Sequence, residues 1–150
     1  MAEVGPIHIM GAGLSGLASA ITLAKAGIEV HVHDVRSDSG QRFDGDFQAL
    51  ENWSMDADFF DQLRDWGYDP NEFQATEFEE VDLIHPDDVI TKTHSTKVAY
   101  RIVERGTSEH TIDQGFKRMA ISAGANLHYK SKVKEEDCQI IACGPKGTSA

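Results

Sequence analysis

The chain is poor in positive charge. Its 14 lysines and arginines stand against 25 aspartates and glutamates, a formal net charge of −11 over 150 residues. That balance argues against nucleic acid, which demands a basic surface to displace counterions. Cysteine is scarce as well. Cys138 and Cys143 form no CxxC pair and have no histidine in ligand spacing, so neither a structural disulfide nor a zinc centre is expected. No apolar run approaches bilayer-spanning length, and the N-terminus lacks a signal peptide's basic region and cleavage site, which makes cytoplasm the expected compartment. The 40% hydrophobic and 26% charged shares are those of a soluble globular protein, and 150 residues suit one domain. No internal repeat or low-complexity tract is present.

The most informative stretch is the start. Ile7-His8-Ile9-Met10 reads as a strand, Gly11-Ala12-Gly13-Leu14-Ser15-Gly16 as a turn, and the run to Gly27 as a helix with Leu14, Leu17, Ala18, Ile21 and Ala24 on one face. A second strand, Ile28 to His33, closes on Asp34. Strand, Gly-x-Gly-x-x-Gly, helix, strand and acid is the pattern a dinucleotide needs. Gly11 allows the tight turn, Gly13 has no Cβ to block a pyrophosphate, and Gly16 lets the helix pack on the sheet. Phosphates would sit on free N–H groups at the helix N-terminus, and Asp34 would accept from the ribose hydroxyls. The net charge does not help to attract an anion, so that contact has to be local.

Residues 37–54 show little periodicity and read as a long connection. Ser54 is expected to cap a helix over about 55–66, with Met55, Phe59, Leu63 and Trp66 as its stripe. From 74 to 105 the period shortens. Thr76–Ile84, Val89–Thr93 and Lys97–Glu104 read as β-rich, a small antiparallel segment inserted into an α/β scaffold. Thr111-Ile112-Asp113-Gln114 is a capping box opening a helix with Ile112, Phe116, Met119, Ala120 and Ala123 inward, stopped by Gly124. A strand near Asn126–Tyr129, a hairpin-like basic stretch over 130–134 and a buried strand, Gln139–Cys143, complete the reading.

At this point the chain resembles the N-terminal portion of the FAD-dependent oxidoreductases of the p-hydroxybenzoate-hydroxylase-like superfamily, nearest to the geranylgeranyl-reductase-related flavoproteins. Four blocks carry the likeness. They are Gly11–Gly16 with Ala20 and Gly27; Asp34-Val35-Arg36 leading to Gly40-Gln41-Arg42; Arg105 with the Ile112-Asp113…Ala120…Gly124-Ala125 helix and its strand to Val133; and Ile140-Ile141-Ala142-Cys143-Gly144-Pro145. The resemblance implies an α/β, Rossmann-like FAD-binding domain in which the loop, Leu14 and Ser15 included, holds the pyrophosphate and Asp34 the adenosine ribose. It further implies Arg36 near the adenine or pyrophosphate, Arg42 flanking the cofactor, Val133 at the adenine, and Cys143 and Gly144 beside the FAD. The family's usual glutamate is Asp34 here. The family's later glycine-aspartate motif has no counterpart before Ala150, so the chain reads as the incomplete front part of a larger enzyme, prone to self-association through apolar surface left uncovered. A small-molecule substrate, with NAD(P)H as electron donor, goes with that reading.

No residue reads as a general acid, base or nucleophile. Two alternatives stand beside the flavoprotein: an NAD(P)-dependent oxidoreductase of the same fold, with Arg36 receiving a 2′-phosphate, and a truncated, non-catalytic dinucleotide-binding module. Other candidates have plainer readings. His31 and His33 share a strand face, but no third ligand is evidently placed, so no metal is expected. Cys143 reads as a small buried strand-end residue, Asp44-Gly45-Asp46 as a turn, and Trp53, Phe59, Phe60 and Trp66 as core or interdomain packing. Lys130, Lys132 and Lys134 point into water.

Overall fold

The computed structural model describes residues 5–144, so Pro145, the last residue of the fourth block, lies outside the described residues. Alternation explains the first strand. In β1 (Ile7–Met10) Ile9 is fully buried, whereas His8 and Met10 take the opposite face. Helix α1 (Leu14–Lys25) buries Leu17, Ala20 and Ile21 against that strand, and Gly27, at φ 80°, adopts the left-handed conformation that ends it. In β2 (Val30–Asp34) Val30 and Val32 are fully buried and His31 and His33 point the other way.

The remaining elements are β3 (Phe47–Glu51), α2 (Phe59–Asp65), β4 (Ala75–Phe78), β5 (Glu80–Ile84), β6 (Ile90–His94), β7 (Tyr100–Glu104), α3 (Ile112–Ser122), β8 (Asn126–Tyr129) and β9 (Ile140–Ile141). One sheet has the order β8-β2-β1-β9 with every pairing parallel. Helices α1 and α3 pack together on one of its faces, enclosing the main core of Ile9, Leu17, Ile21, Val30, Val32, Phe116 and Ala120. The chain winds outward from β1 to β2 to β8, then returns to the other side of β1 as β9. That reversal is the topological switch point at which α/β sheets bind ligands.

A second sheet, β3-β7-β4, is antiparallel, and β5 and β6 form a separate hairpin. The β-rich reading of 74–105 therefore holds, but the connection read over 37–54 does not: it contains β3, paired with β7 from Phe47↔Glu104 to Glu51↔Tyr100. The helix read over 55–66 also starts later. Asp58, not Ser54, is the cap, its carboxylate accepting from the Phe60 N–H at 2.8 Å, and Asn52 accepts from the Phe59 N–H at 2.6 Å. Ser54 makes no such bond, and a two-acceptor start at Asp58 is the better-satisfied end.

α2 is fastened to the second sheet through polar contacts. Arg101 donates to both oxygens of Asp58, to Glu77, and lies over the Phe60 ring at 4.2 Å. Burial pushes the Asp58 carboxyl up, but the Arg101 guanidinium and the Phe60 N–H hold it below its ordinary range. Asn52, 1% exposed, joins this junction by donating to the Val98 carbonyl and to Asp58. Asn52→Ala should cost about 1–3 kcal/mol in chemical denaturation, since it leaves the Phe59 N–H and the Val98 carbonyl without their partner.

Three further expectations are corrected. Residues 130–134 form no hairpin: Lys130, at φ 53°, and Ser131 continue along the end of β2, their N–H groups donating to the carbonyls of Arg36 and Asp34. The final strand is a two-residue edge rather than buried, with Ile141 47% exposed and Cys143 exposed beyond it, because no strand among the described residues pairs with the outer edge of β9. Trp53 and Trp66 are about half exposed, whereas Phe59 and Phe60 are half-buried against the core. Thr111 does cap α3, accepting from the Gln114 N–H, but the Gln114 side chain reaches across to the Ser39 carbonyl instead of completing the box. Lys130, Lys132 and Lys134 are exposed, as expected.

Candidate functional site

A cleft of about 730 Å³ opens at the C-terminal ends of β1, β2 and β9, at the switch point. All eleven residues singled out at the sequence level are brought near it. Gly11, Gly13, Leu14, Ser15, Asp34, Arg36, Arg42, Val133, Cys143 and Gly144 line it, and Gly16 lies beneath, packed on the loop.

The three glycines have different jobs. A Cβ on Gly16 would lie 1.9 Å from the Gly11 carbonyl oxygen, so its hydrogen is what lets helix and strand close together. Gly11, at φ 106°, turns the chain with its Cα pressed towards Ala142, where a Cβ would come within 2.5 Å of the carbonyl oxygen. Gly13 is unlike either. It is extended (φ −81°, ψ 179°), and a Cβ there would meet nothing within 4 Å. The space over Gly13 belongs to the cleft. It is also the N-cap of α1, and no side chain caps the first turn. A twelve-residue helix thus presents free N–H groups and the positive end of its dipole to an open cavity.

Asp34 is held rather than loose. One carboxylate oxygen accepts from the Ala12 N–H and the other from the Arg36 N–H, each at 2.8 Å, with 11% of the side chain exposed. This ties the glycine loop to the end of β2 and leaves lone pairs facing the cleft. The Arg36 guanidinium is 4.0 Å away and 43% exposed, free to swing over a ligand.

The opposite wall is cationic. The Phe43 ring lies between two guanidiniums, Arg42 at 5.3 Å and Arg105 at 4.8 Å from its centroid. Arg105 is pinned by a fully buried carboxylate: Asp113 accepts from Nε at 2.7 Å, from Nη2 at 2.9 Å and from the Gly106 N–H at 3.0 Å. Gln48 on β3 accepts from Nη1 at 2.8 Å. Asp44 anchors the same corner, accepting from the N–H and hydroxyl of Thr107; these two bonds hold its carboxyl below its ordinary range. The Asp44-Gly45-Asp46 turn is therefore a brace. Asp38 faces the cleft too. Burial pushes its carboxyl up, but the Lys117 ammonium, Gln114 and the Ser39 N–H together hold it low. In a chain of net charge −11, Arg36, Arg42 and Arg105 are gathered at the cleft where an anion would lie.

Sequence reasoning missed Gln48 and the Asp113 clamp. Gln48 entered with β3, whose partner is distant in sequence, and Asp113, grouped with Arg105 in one block of the resemblance and read as part of a helix start, was not expected to clamp it. His8 and His128 were missed as companions of His31 and His33. The four rings lie together on the open face of the parallel sheet. Among the described residues, no group of three or more side chains is arranged to hold a metal ion.

A family model described as an NAD(P)-binding Rossmann-like domain matches residues 9–48, the span from β1 to the start of β3. These residues form the Rossmann-like β1–α1–β2 unit. Fifty residues are 51% identical to a hydroxysqualene dehydroxylase of Rhodopseudomonas palustris, covering 33% of this chain and 12% of that protein. The fold beyond the Rossmann-like core is shared with solved structures. A 2-methyl-3-hydroxypyridine-5-carboxylic acid oxygenase superposes with a TM-score of 0.65 at 17% identity, over 87% of this chain and 33% of that one. A geranylgeranyl bacteriochlorophyll reductase-like protein of Thermoplasma acidophilum gives 0.63 at 20% identity, over 87% and 32%. The parallel sheet and its antiparallel layer thus share their fold with these two solved structures. The chain spans about an eighth of the curated relative and a third of these structures.

Proposed function

We propose that this chain is the FAD-binding portion of a flavin-dependent oxidoreductase, with the adenosine diphosphate half of the cofactor in the cleft described above. The observation that carries the reading is the open space over Gly13 at an uncapped helix N-terminus. It is a cradle that any Cβ would begin to fill, and its wall donates N–H groups to an anion. Asp34, fixed by Ala12 and Arg36, would accept from the ribose hydroxyls, and Val133, on the cleft wall, would contact the adenine. Leu14, Ser15 and the guanidinium of Arg42 would face the phosphates, with Cys143 and Gly144 closing the side towards β9.

When bound, the flavin supplies the hydride or oxygen chemistry; the protein orients it and sets its surroundings. The chain's own contribution is binding. The loop N–H groups and the clustered arginines neutralise the pyrophosphate locally, against a surface that would otherwise repel it. The substrate is a small molecule, apolar by analogy with the hydroxysqualene relative, and NAD(P)H the electron donor.

The NAD(P)-dependent alternative draws on the NAD(P)-binding family matched by residues 9–48 and on the exposed guanidinium of Arg36, which could reach a 2′-phosphate. Asp34 beside it would repel that phosphate. One experiment decides between them: the protein is purified, its absorption spectrum recorded, and the supernatant after denaturation run against FAD, FMN and NAD(P) standards. FAD is the expected result, either carried through purification or taken up on reconstitution. Uptake of NADP with none of FAD would put the alternative in its place.

A further inference from the structure

Four of the chain's seven histidines meet on the face of the parallel sheet that, among the described residues, no helix covers. Strand register puts them there. His8 on β1 is the partner of His31 on β2, and His33 on β2 is the partner of His128 on β8. The hydrogen bonds run diagonally: His8 Nδ1 to His33 Nε2 at 3.1 Å, and His31 Nδ1 to His128 Nε2 at 2.9 Å. The two bonded pairs then lie against each other, with ring centroids 5.1 Å apart for His8–His31 and 4.8 Å for His33–His128.

A bond between two imidazoles needs one N–H and one lone pair. Each pair can take up one proton and keep its bond. A further proton converts N–H···N into two opposed N–H groups at a separation of about 3 Å, and places like charges on adjacent rings. The charged groups around the quartet offer little relief. Glu29 accepts from His31 Nε2 at 2.9 Å, but it is 63% exposed. Lys130, exposed just past β8, adds positive charge, and Met10, Ile141 and the Cys143 thiol on the β9 side add none. Asp34, next to His33, commits its carboxylate to Ala12 and Arg36. Burial pushes the His33 imidazole below its ordinary value, and the rings of His128, His8 and His31 push it further.

The quartet is wired to the cleft. His33 Nδ1 bonds the Ser131 hydroxyl at 3.0 Å, the Ser131 N–H donates to the Asp34 carbonyl, and His33 and Ser131 both line the cavity. We propose that this quartet is a proton-operated catch, holding β8 against β2 at neutral pH and releasing it on acidification, so that the Ser131 wall of the cleft loosens. The release concerns β8 alone; its effect on ligand affinity rests on the dinucleotide reading.

The sign follows from linkage. A histidine whose folded-state pKa is lowered contributes stability above the ordinary histidine value of 6.5, and that contribution is lost as pH falls below it. The test is amide hydrogen exchange from pH 7.5 to 5.5, corrected for intrinsic rates and read strand by strand. The opening constant of β8 should be flat above about pH 6.5 and rise below it, by at most roughly tenfold per pH unit for each proton taken up on opening, while β1 and α3 change less. His128→Gln should flatten that slope, and His8→Gln serves the same purpose if the first variant does not fold. A β8 opening constant independent of pH, or an unchanged slope in the variant, overturns the proposal. Titrations with adenosine diphosphate at the two pH values read the link to the cleft separately. Affinity that weakens with acid in the parent but not in the variant extends the catch to the site. Acid-insensitive affinity despite β8 opening overturns that link, and no binding at either pH overturns the dinucleotide reading while the exchange result still judges the catch.

Discussion

Replacing Gly13 with valine is expected to abolish dinucleotide binding, a loss of at least about a hundredfold in affinity or ~2.7 kcal/mol, while the fold survives. The two halves of that statement have separate causes. The backbone at Gly13 is already extended, a conformation valine favours, and no protein atom lies within 4 Å of the added Cβ. Stability should fall by about 1 kcal/mol or less, the cost of a poorer helix start, which for a chain of this size is a few degrees in Tm. The cleft, however, would be occupied where the pyrophosphate must come close. Gly16→Val should behave in the opposite way. Its Cβ would overlap the Gly11 carbonyl oxygen, so loop, strand and helix must separate and stability itself should fail. Calorimetric titration and a thermal melt of both variants separate the two behaviours; equal binding by Gly13→Val and the parent would contradict the phosphate-loop assignment.

Asp113→Ala should destabilise the chain by about 3–5 kcal/mol in urea, because it strands the Arg105 guanidinium, only 12% exposed, without the carboxylate that accepts two of its N–H groups. The Gly106 N–H loses its acceptor in the same step. A protein whose whole stability is of order 5–15 kcal/mol would feel this as partial unfolding. A loss below about 1 kcal/mol would show that Arg105 finds other partners and that the corner is not held by this pair.

What could be read from the sequence was what is local. The β1–α1–β2 unit was legible because its signals are contiguous: apolar alternation, three spaced glycines, a helical stripe, and Gly27 as the stop. Helix α3 was legible through Thr111 and Gly124 for the same reason. β3 was not, since Phe47-Gln48-Ala49-Leu50-Glu51 is mostly exposed and its identity as a strand comes from β7, some fifty residues on. Arg101, Asp58 and Asn52 converge from three elements, so no spacing announces them. The histidine quartet left one trace that could have been followed. His8 falls on the same period-two face as His31 and His33, and only the register of β8 was needed to add His128. Cys143 was misjudged because a short apolar run looks buried whether or not anything covers it.

The most direct test of the dinucleotide site is a two-dimensional NMR titration of the isotope-labelled chain with adenosine diphosphate. Binding in the switch-point cleft predicts that the backbone signals of Gly11 to Ser15, Asp34, Arg36 and Val133 move together and saturate. A ligand that instead shifts the second, smaller cleft around Glu72, His110 and Arg118, or shifts nothing at millimolar concentration, would contradict it.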